Sequence, residues 1–242
     1  MKSIAIQQPY IFPYLGYFQL MNLVDKFILL DDVNFIKKGW INRNRILGTR
    51  WTNDGFEPQL FSIPLNDISQ NRHIRDTTLH QGYVKWISKF ETTLQHTYRK
   101  APYFTQTKNL VLQILNSCQA RDSISRLCFE SLKAIKALLA LDCQLVQSSA
   151  TYNNQSLKGQ DRIINICQQE ATDCYINLIG GQGLYFKEMF TNIGIDLKFH
   201  KCLPYSYSQG SEIFQANLSI IDTLMWCEPS EVKQMLHNCE VI

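Results

Sequence analysis

The chain has 242 residues, of which 45% are hydrophobic and 19% charged, the composition of a folded globular protein with a substantial core. Its formal net charge of +3 is too small to indicate nucleic-acid binding. The eight cysteines form no C-x-x-C pair, so a zinc site is not expected, and the lack of a signal-peptide pattern favours the reducing cytoplasm. The longest apolar run, 20–30, contains Asp25 and Lys26 and is not expected to span a membrane.

The first third of the chain predicts a parallel sheet. Residues 3–7 have the pattern of a buried strand, residues 17–24 that of a short helix, and residues 26–32 that of a second strand. This length and order are typical of a βαβ unit, in which the two strands are parallel. A further alternating run at 59–65 predicts another strand.

In the rest of the chain the spacing of the hydrophobic residues changes twice. Helical patterns occupy three consecutive segments, 73–100 with a break near Gly82, 104–118 and 123–141. Alternation then returns, with strands at 143–149, 174–179 and 196–201, helices at 159–170 and 183–194, and two closing helices, the last N-capped by Ser230. We therefore predict one α/β domain over 1–242, with a parallel Rossmann-like sheet and a mostly helical insertion at 70–140.

The loop after the first predicted strand is the first candidate site, because ligands of open parallel sheets bind beyond the carboxyl ends of the strands. Its amides and aromatic rings suit a nucleobase or a sugar face, while proline and glycine shape the backbone. The alternative is an ordinary aromatic hinge between strand and helix. The candidate binding residues are Gln7, Gln8, Pro9, Tyr10, Tyr14, Gly16 and Tyr17.

A basic segment at 33–48 is the second candidate. Arginines at i and i+2 of an extended segment face the same side and can clamp a diphosphate, although a solvated basic loop is the usual alternative. The candidate binding residues are Lys38, Trp40, Asn42, Arg43, Asn44 and Arg45. Lys37 is a candidate for acid–base catalysis. Asp31 and Asp32 end the second strand, where they can handle protons, bind a metal or cap a turn.

A glycine-rich turn at 180–183 is the third candidate, because glycines between a strand and a helix can hold an anion. Gly180, Gly181, Gly183 and Tyr185 are its candidate binding residues. His200, at the end of the last predicted sheet strand, is a catalytic candidate. Gln209 is a candidate binding residue in a loop that can cover the crevice; the alternative is that this loop has no role in binding.

Several long stretches resemble the WbqC-like family over essentially the whole chain: IAIQQPYIFPYLGYFQLMNLVDKFILLDDVNFIKKGWINRNRI, YRKAPYF, YINLIGGQGLYF and NLSIIDTLM. The family is associated with genes for bacterial surface polysaccharides such as O-antigen, and is proposed to transfer glycine or a related acyl group to an amino sugar. One departure is at Trp86, which is followed by Lys89 and Phe90 where the family has W-x-x-K-H.

A more distant likeness is to nucleotidylyltransferases and aminoacyl-adenylate enzymes, whose first strand leads into an H-x-G-H loop. Tyr14, Leu15, Gly16 and Tyr17 take that place here, with tyrosine at both histidine positions. This is an analogy of fold. It implies ATP with a divalent metal as the one cofactor to consider.

These resemblances imply a transferase that acylates the amine of a nucleotide-linked amino sugar, with an acyl or amino-acid donor as second substrate. The alternatives are a nucleotidylyltransferase and a non-catalytic protein that binds sugar nucleotides. A homo-oligomer is left open. The sequence identifies neither the sugar nor the way in which the donor is activated.

Overall fold

The computed structural model describes residues 1–52 and 55–242. Its strands are β1 Ser3–Gln7, β2 Lys26–Leu29, β3 Arg43–Ile46, β4 Trp51–Thr52, β5 Gly55–Phe56, β6 Gln59–Ser62, β7 Gln144–Val146, β8 Cys174–Leu178, β9 Asp196–Cys202 and β10 Cys239–Val241. Its helices are α1 Leu15–Asn22, α2 Tyr83–Tyr98, α3 Phe104–Asn116, α4 Ile124–Leu138, α5 Gly159–Gln169, α6 Lys187–Thr191, α7 Ile220–Trp226 and α8 Pro229–Met235. Short 3-10 segments lie at Ile74–Asp76, Ser149–Tyr152 and Ile179–Leu184.

The central sheet has the order β10-β9-β8-β1-β2-β7 in the described part of the chain. All of its pairings are parallel except that of the edge strand β10 with β9. The chain passes from β1 outward through β2 to β7, and then crosses back to β8 and β9 on the other side of β1. This is a Rossmann-like arrangement, as predicted, with its topological switch point between β1 and β8.

Side chains alternate between the two faces of the sheet, and each face has its own core. Ala5, Phe27 and Ile176 belong to the larger core, which α1 and the helices between β6 and β7 cover. Ile4 and Ile6 belong to the smaller core, with residues of α5 and α6. The strands are therefore buried on both sides, which explains their nearly continuous hydrophobic pattern.

The mostly helical segment lies between β6 and β7 and contains α2, α3 and α4. The pattern break near Gly82 is confirmed, because α2 begins at Tyr83 and only a 3-10 turn precedes it. Leu94, Leu115 and Leu132 are fully buried in the same core as Ala5 of β1. Before this segment, β3 and β6 form an antiparallel pair beside the main sheet.

Three predicted details are wrong. The helix predicted over 183–194 is reduced to α6, which ends at Thr191 with Asn192 as its C-cap. The predicted cap glycine, Gly194, lies in the turn beyond it, where its φ of +76° suits glycine. Helix α8 begins one residue before Ser230, and Glu231 of its first turn accepts a hydrogen bond from the N–H of Glu228 at 2.8 Å. The predicted last helix also ran into Cys239, which begins β10.

No helix in the described residues is long and apolar enough to cross a membrane.

Candidate active site

A cavity of about 500 Å³ opens at the carboxyl ends of β1 and β8, which is the switch point of the sheet. This volume is within the usual range for small-molecule sites. Its walls come from the loop after β1, the ends of β2 and β8, and the segment before β3. The lining residues are Ile6, Gln7, Gln8, Pro9, Tyr10, Tyr14, Tyr17, Leu30, Ile36, Gly39, Trp40, Ile41, Asn177, Leu178, Gly180, Gly181, Leu184 and Tyr185.

The loop after β1 is held in place by contacts at both of its ends. Gln7 donates a hydrogen bond to the side-chain oxygen of Asn177, so the two strands that flank the switch point are joined at the cavity. The hydroxyl of Tyr17 donates to the carbonyl of Gln8 at 2.9 Å. A Cβ at Gly16 would meet the Tyr14 ring at 2.5 Å, which explains why a glycine suits this turn.

Tyr10 and Trp40 form one aromatic wall of the cavity. Their ring centroids are 6.3 Å apart, and 43% of the Trp40 surface is exposed. The Tyr10 hydroxyl donates to the Asn44 side chain at 2.9 Å, and the Asn44 amide nitrogen donates to the Phe12 carbonyl at 2.6 Å. Buried Asn44 therefore fixes the orientation of Tyr10. Asn44 itself lies behind this wall and is not among the residues that line the cavity.

Arg43 and Arg45 lie on the same side of β3, as the i, i+2 spacing predicts. Their guanidinium carbons are 5.5 and 5.4 Å from the centre of the Trp40 ring, which is cation–π distance. Arg43 also donates to the carbonyls of Lys38 and, at 2.8 Å, Gly39. In contrast, the Nε of Arg45 is buried without a hydrogen-bond partner. Neither arginine is among the lining residues of the cavity, and the two differ in that Arg45 has a buried donor without a partner.

The glycine-rich segment is a 3-10 turn that forms another part of the wall. Gly180 and Gly181 line the cavity, and a Cβ at Gly181 would meet the Asn177 amide at 2.6 Å. Gly183 is exposed and lies outside the lining. Because α6 begins only at Lys187 and has Glu188 in its first turn, the glycines do not lead directly into a helix N-terminus. This corrects the arrangement that the sequence predicted.

Tyrosines are the ionisable side chains in the described lining of the cavity. Among the described residues, its lining includes no Asp, Glu, Lys, Arg, His or Cys. Burial raises the pKa of Tyr10 far above its ordinary value, with a smaller opposing effect of the Arg45 charge. Burial likewise raises the pKa of Tyr14 and Tyr185. All three are neutral hydrogen-bond donors at physiological pH.

Comparisons with known proteins cover nearly the whole chain. The model of the WbqC-like protein family matches residues 8–234. The chain belongs to the WbqC-like family. An uncharacterised protein of Mycobacterium tuberculosis (strain ATCC 25618 / H37Rv), Rv1507c, is 28% identical over 242 residues, which cover 99% of each chain. No solved structure matches the chain significantly.

Asp31 of this WbqC-like protein lies just beyond the cavity residue Leu30, but its carboxylate is buried and points elsewhere. It accepts hydrogen bonds from Ser125 at 2.8 Å and Ser148 at 2.6 Å, which tie β2 to α4 and to the segment after β7. Burial raises its pKa and the two serines oppose this effect. The structure gives Asp31 a bridging role outside the cavity.

Asp32 forms a buried ion pair with Arg162 of α5, and both side chains are almost inaccessible. Ser149 also donates to its carboxylate, as does Gln155 at 3.0 Å. Burial alone would raise the Asp32 pKa, but these hydrogen bonds and the Arg162 charge outweigh it and lower the pKa. With both oxygens occupied by protein donors, the carboxylate does not suit a metal ligand.

Several other predicted residues also lie outside the cavity. Lys37 and Lys38 are exposed beside it, and Asn42 is buried, where it donates to the Ile63 carbonyl at 2.8 Å. Gln209 is buried too, and it donates to Asp222 at 2.7 Å and to the Gln215 carbonyl at 3.0 Å. Gln209 therefore fixes its own loop and does not cover the switch-point cavity.

His200 is a buried core residue of β9. Its Nε2 is 3.0 Å from the side-chain oxygen of Gln19, on the α1 side of the sheet. Removal from water lowers its pKa from 6.5 to about 4, so the ring is neutral at physiological pH. The structure thus places His200 away from the cavity lining, where it cannot reach a bound substrate.

Replacing His200 with glutamine is expected to make the free energy of unfolding depend less on pH between about pH 6.5 and pH 4. The unfolded imidazole takes up a proton near pH 6.5 and the folded one only near pH 4, so the unfolded state binds more protons between these values. The stability of the native protein should therefore fall as pH drops through this window, and that part of the loss should be absent from the variant. Urea unfolding at several pH values measures it, and identical profiles would contradict the buried neutral histidine.

The structure adds lining residues that the sequence patterns did not predict. Asn177 and Leu178 end β8, Leu30 follows β2, and Ile36 and Leu184 complete the apolar walls. The sequence could have identified Asn177 as a site residue, because it is a polar residue at the carboxyl end of a hydrophobic strand. The aliphatic lining residues could not be identified in this way, since aliphatic residues in the hydrophobic core show the same sequence pattern.

Proposed function

We propose that this protein binds a nucleotide-linked amino sugar in the switch-point cavity and acylates the sugar amine, with glycine or another amino acid as the acyl group, in bacterial O-antigen or related surface polysaccharide synthesis. Membership of the WbqC-like family and an aromatic and amide-lined cavity at the switch point support this proposal. The single observation that carries it is the Tyr10–Trp40 wall with the unpartnered Arg45 Nε behind it.

Each part of such a substrate has a complementary group. The aromatic faces of Tyr10 and Trp40 suit a nucleobase or the apolar face of a sugar. Amides of Gln7, Gln8 and Asn177 suit sugar hydroxyls. Arg45, which lies against the Trp40 ring, has the charge that suits the diphosphate.

The reaction joins the amine nitrogen to the acyl carbon, while the leaving group departs with its bonding electrons and the amine loses a proton. The neutral hydroxyls of Tyr14 and Tyr185 can donate hydrogen bonds to the oxygen that becomes negative in the tetrahedral intermediate, whereas the Tyr10 hydroxyl already donates to Asn44. These hydroxyls stay protonated at physiological pH and therefore offer no base for the amine proton, which we assign to solvent. Positioning of the two substrates is then the main source of rate enhancement.

A non-catalytic sugar-nucleotide binding protein is the second candidate. The described lining has no side chain that is a base at physiological pH, which favours this candidate, because acyl transfer usually employs a positioned base. Nucleotidyl transfer with ATP and a divalent metal has less support, since Asp31 and Asp32 are occupied by serine, glutamine and arginine donors. A product assay with purified protein separates these candidates.

The first test is a thermal-shift screen with UDP- and dTDP-linked amino sugars, ATP, coenzyme A and glycine. An amino-sugar nucleotide should raise the melting temperature, because a ligand of the native state stabilises it. Arg45→Gln should reduce the affinity by about tenfold or more through the loss of a charge-assisted contact. Lys133→Gln, on the exposed surface of α4, is the matched control for loss of a charge and should retain the affinity.

A shift with ATP alone would replace the acyl-transfer proposal by adenylate or nucleotidyl chemistry. Where a sugar nucleotide binds, acylation is followed by mass spectrometry with thioester and adenylate donors. Our proposal predicts that the rate rises with pH as the substrate amine loses its proton, and that His200→Gln leaves this profile unchanged. Binding without any acylated product would favour the second candidate.

A further inference from the structure

A second cavity of about 380 Å³ lies at the carboxyl end of α2, next to the loop that leads to α7. Among the described residues, it shares no lining residue with the switch-point cavity. Its walls include His96, Thr97, Arg99 and Lys100 from the end of α2, and Trp226 from α7. The proposed acyl transfer uses none of these residues.

Three basic side chains border this second cavity. His96, Arg99 and Lys100 are exposed, and no carboxylate of the described residues lies within ion-pair distance of any of them. Basic residues are favourable at the end of any helix, because they offset the negative end of its dipole. That effect explains their presence on α2, but it does not explain why they surround a cavity.

Two buried donors provide the independent observation. The hydroxyl of Thr97 and the indole N–H of Trp226 are both buried without a hydrogen-bond partner, and both residues line the cavity. A buried polar group without a partner is uncommon and costs stability, so we expect both donors to meet an acceptor that the chain itself does not supply. Together with the basic side chains, the two donors call for a ligand that is rich in acceptors and negatively charged.

The neighbouring wall is fixed in place. A Cβ at Gly210 would approach the Trp226 ring to 2.6 Å, and the φ of +70° at Gly210 also suits glycine. The adjacent Gln209 is bound to Asp222, which also accepts hydrogen bonds from Tyr98 and Tyr207 at 2.7 Å each. The indole therefore lies against a wall whose backbone is held by a buried polar network.

We propose that this second cavity binds a small anion that carries phosphate groups. Arg99 and Lys100 would neutralise its charge, and Thr97 and Trp226 would donate to its oxygens. A phosphate-bearing ligand fits better than a single carboxylate, because its oxygens are numerous enough for two cations and two neutral donors. The site is independent of the proposed acyl transfer, since that reaction occurs in the switch-point cavity.

The test is a titration of the full chain with inorganic pyrophosphate at constant ionic strength, followed by the indole N–H resonances in ¹H–¹⁵N spectra. Trp226→Phe identifies the Trp226 signal by its disappearance. We expect this signal to shift saturably, and the affinity to fall about tenfold or more in Arg99→Gln/Lys100→Gln. The matched control is Lys85→Gln/Lys89→Gln, which removes the same charge from exposed positions of α2 outside the cavity and should retain the affinity.

The absence of a saturable shift would overturn the proposal, as would equal affinity in both double variants. Tighter binding of citrate than of pyrophosphate would overturn the assignment to phosphate. Circular dichroism of each variant verifies that it is folded. Trp40→Ala should bind pyrophosphate in the second cavity as the wild type does, so failure of the sugar-nucleotide proposal and failure of this one give different results.

Discussion

Replacing Asp32 with alanine is expected to lower the free energy of unfolding by about 3–5 kcal/mol, the range for a buried ion pair that loses one partner. The Arg162 guanidinium would remain buried without its carboxylate, and Ser149 and Gln155 would lose their acceptor. Urea or guanidinium unfolding at neutral pH, with a check that the m-value is unchanged, measures the effect.

The control for Asp32→Ala is Lys201→Gln, which breaks the exposed pair with Glu240 and should cost less than about 1 kcal/mol. The Asp32 pKa is below its ordinary value in the folded protein, so its stabilisation is present above pH 3.8 and is lost as pH falls through the lower folded value. The difference between wild type and variant should therefore shrink in acid. Similar losses in both variants would contradict the importance of the buried pair.

Replacing Trp40 with alanine is expected to weaken the binding of an amino-sugar nucleotide by roughly 5- to 150-fold, which corresponds to about 1–3 kcal/mol for the loss of a stacking ring. The change removes half of the Tyr10–Trp40 wall and also the surface on which Arg43 and Arg45 lie. Isothermal titration calorimetry with the ligand found in the thermal-shift screen gives the dissociation constants.

Two further variants locate the cause of a weaker affinity. Trp40→Phe keeps an aromatic face and should retain most of the binding, whereas Asn44→Ala should weaken binding by releasing the Tyr10 hydroxyl that Asn44 holds. Trp86→Phe, in a stack on α2 away from the cavity, is the control for tryptophan replacement. Undiminished affinity of Trp40→Ala would exclude the aromatic wall as the binding surface.

Local patterns predicted most of the strands and helices because their causes are local. The strands of the parallel sheet are buried on both faces, so β1, β2 and β8 appear as short hydrophobic runs. The rule that ligands bind beyond the carboxyl ends of such strands then led to the loop at Gln7 to Tyr17. That loop lines the switch-point cavity.

Predictions that depended on distant partners were less successful. Nothing near Asp31 in the sequence indicates that its carboxylate will meet Ser125 and Ser148, which are 94 and 117 residues further along the chain. His200 ends a strand, as a catalytic residue can, but its partner on α1 is 181 residues away. An exposed site and a buried polar network use the same residue types, so composition cannot distinguish them.

The position of β1 in the sheet has a consequence for biosynthesis. Strand β1 is made first, yet its neighbour β8 arrives when Cys174 pairs with Ser3, after most of the chain has been synthesised. Until then one edge of β1 has unpaired N–H and C=O groups, and the face that carries Ile4 and Ile6 lacks α5 and α6. Such long-range pairing slows folding. The nascent chain is therefore most prone to aggregation before β8 leaves the ribosome, and chaperones that shield strand edges would act in this interval.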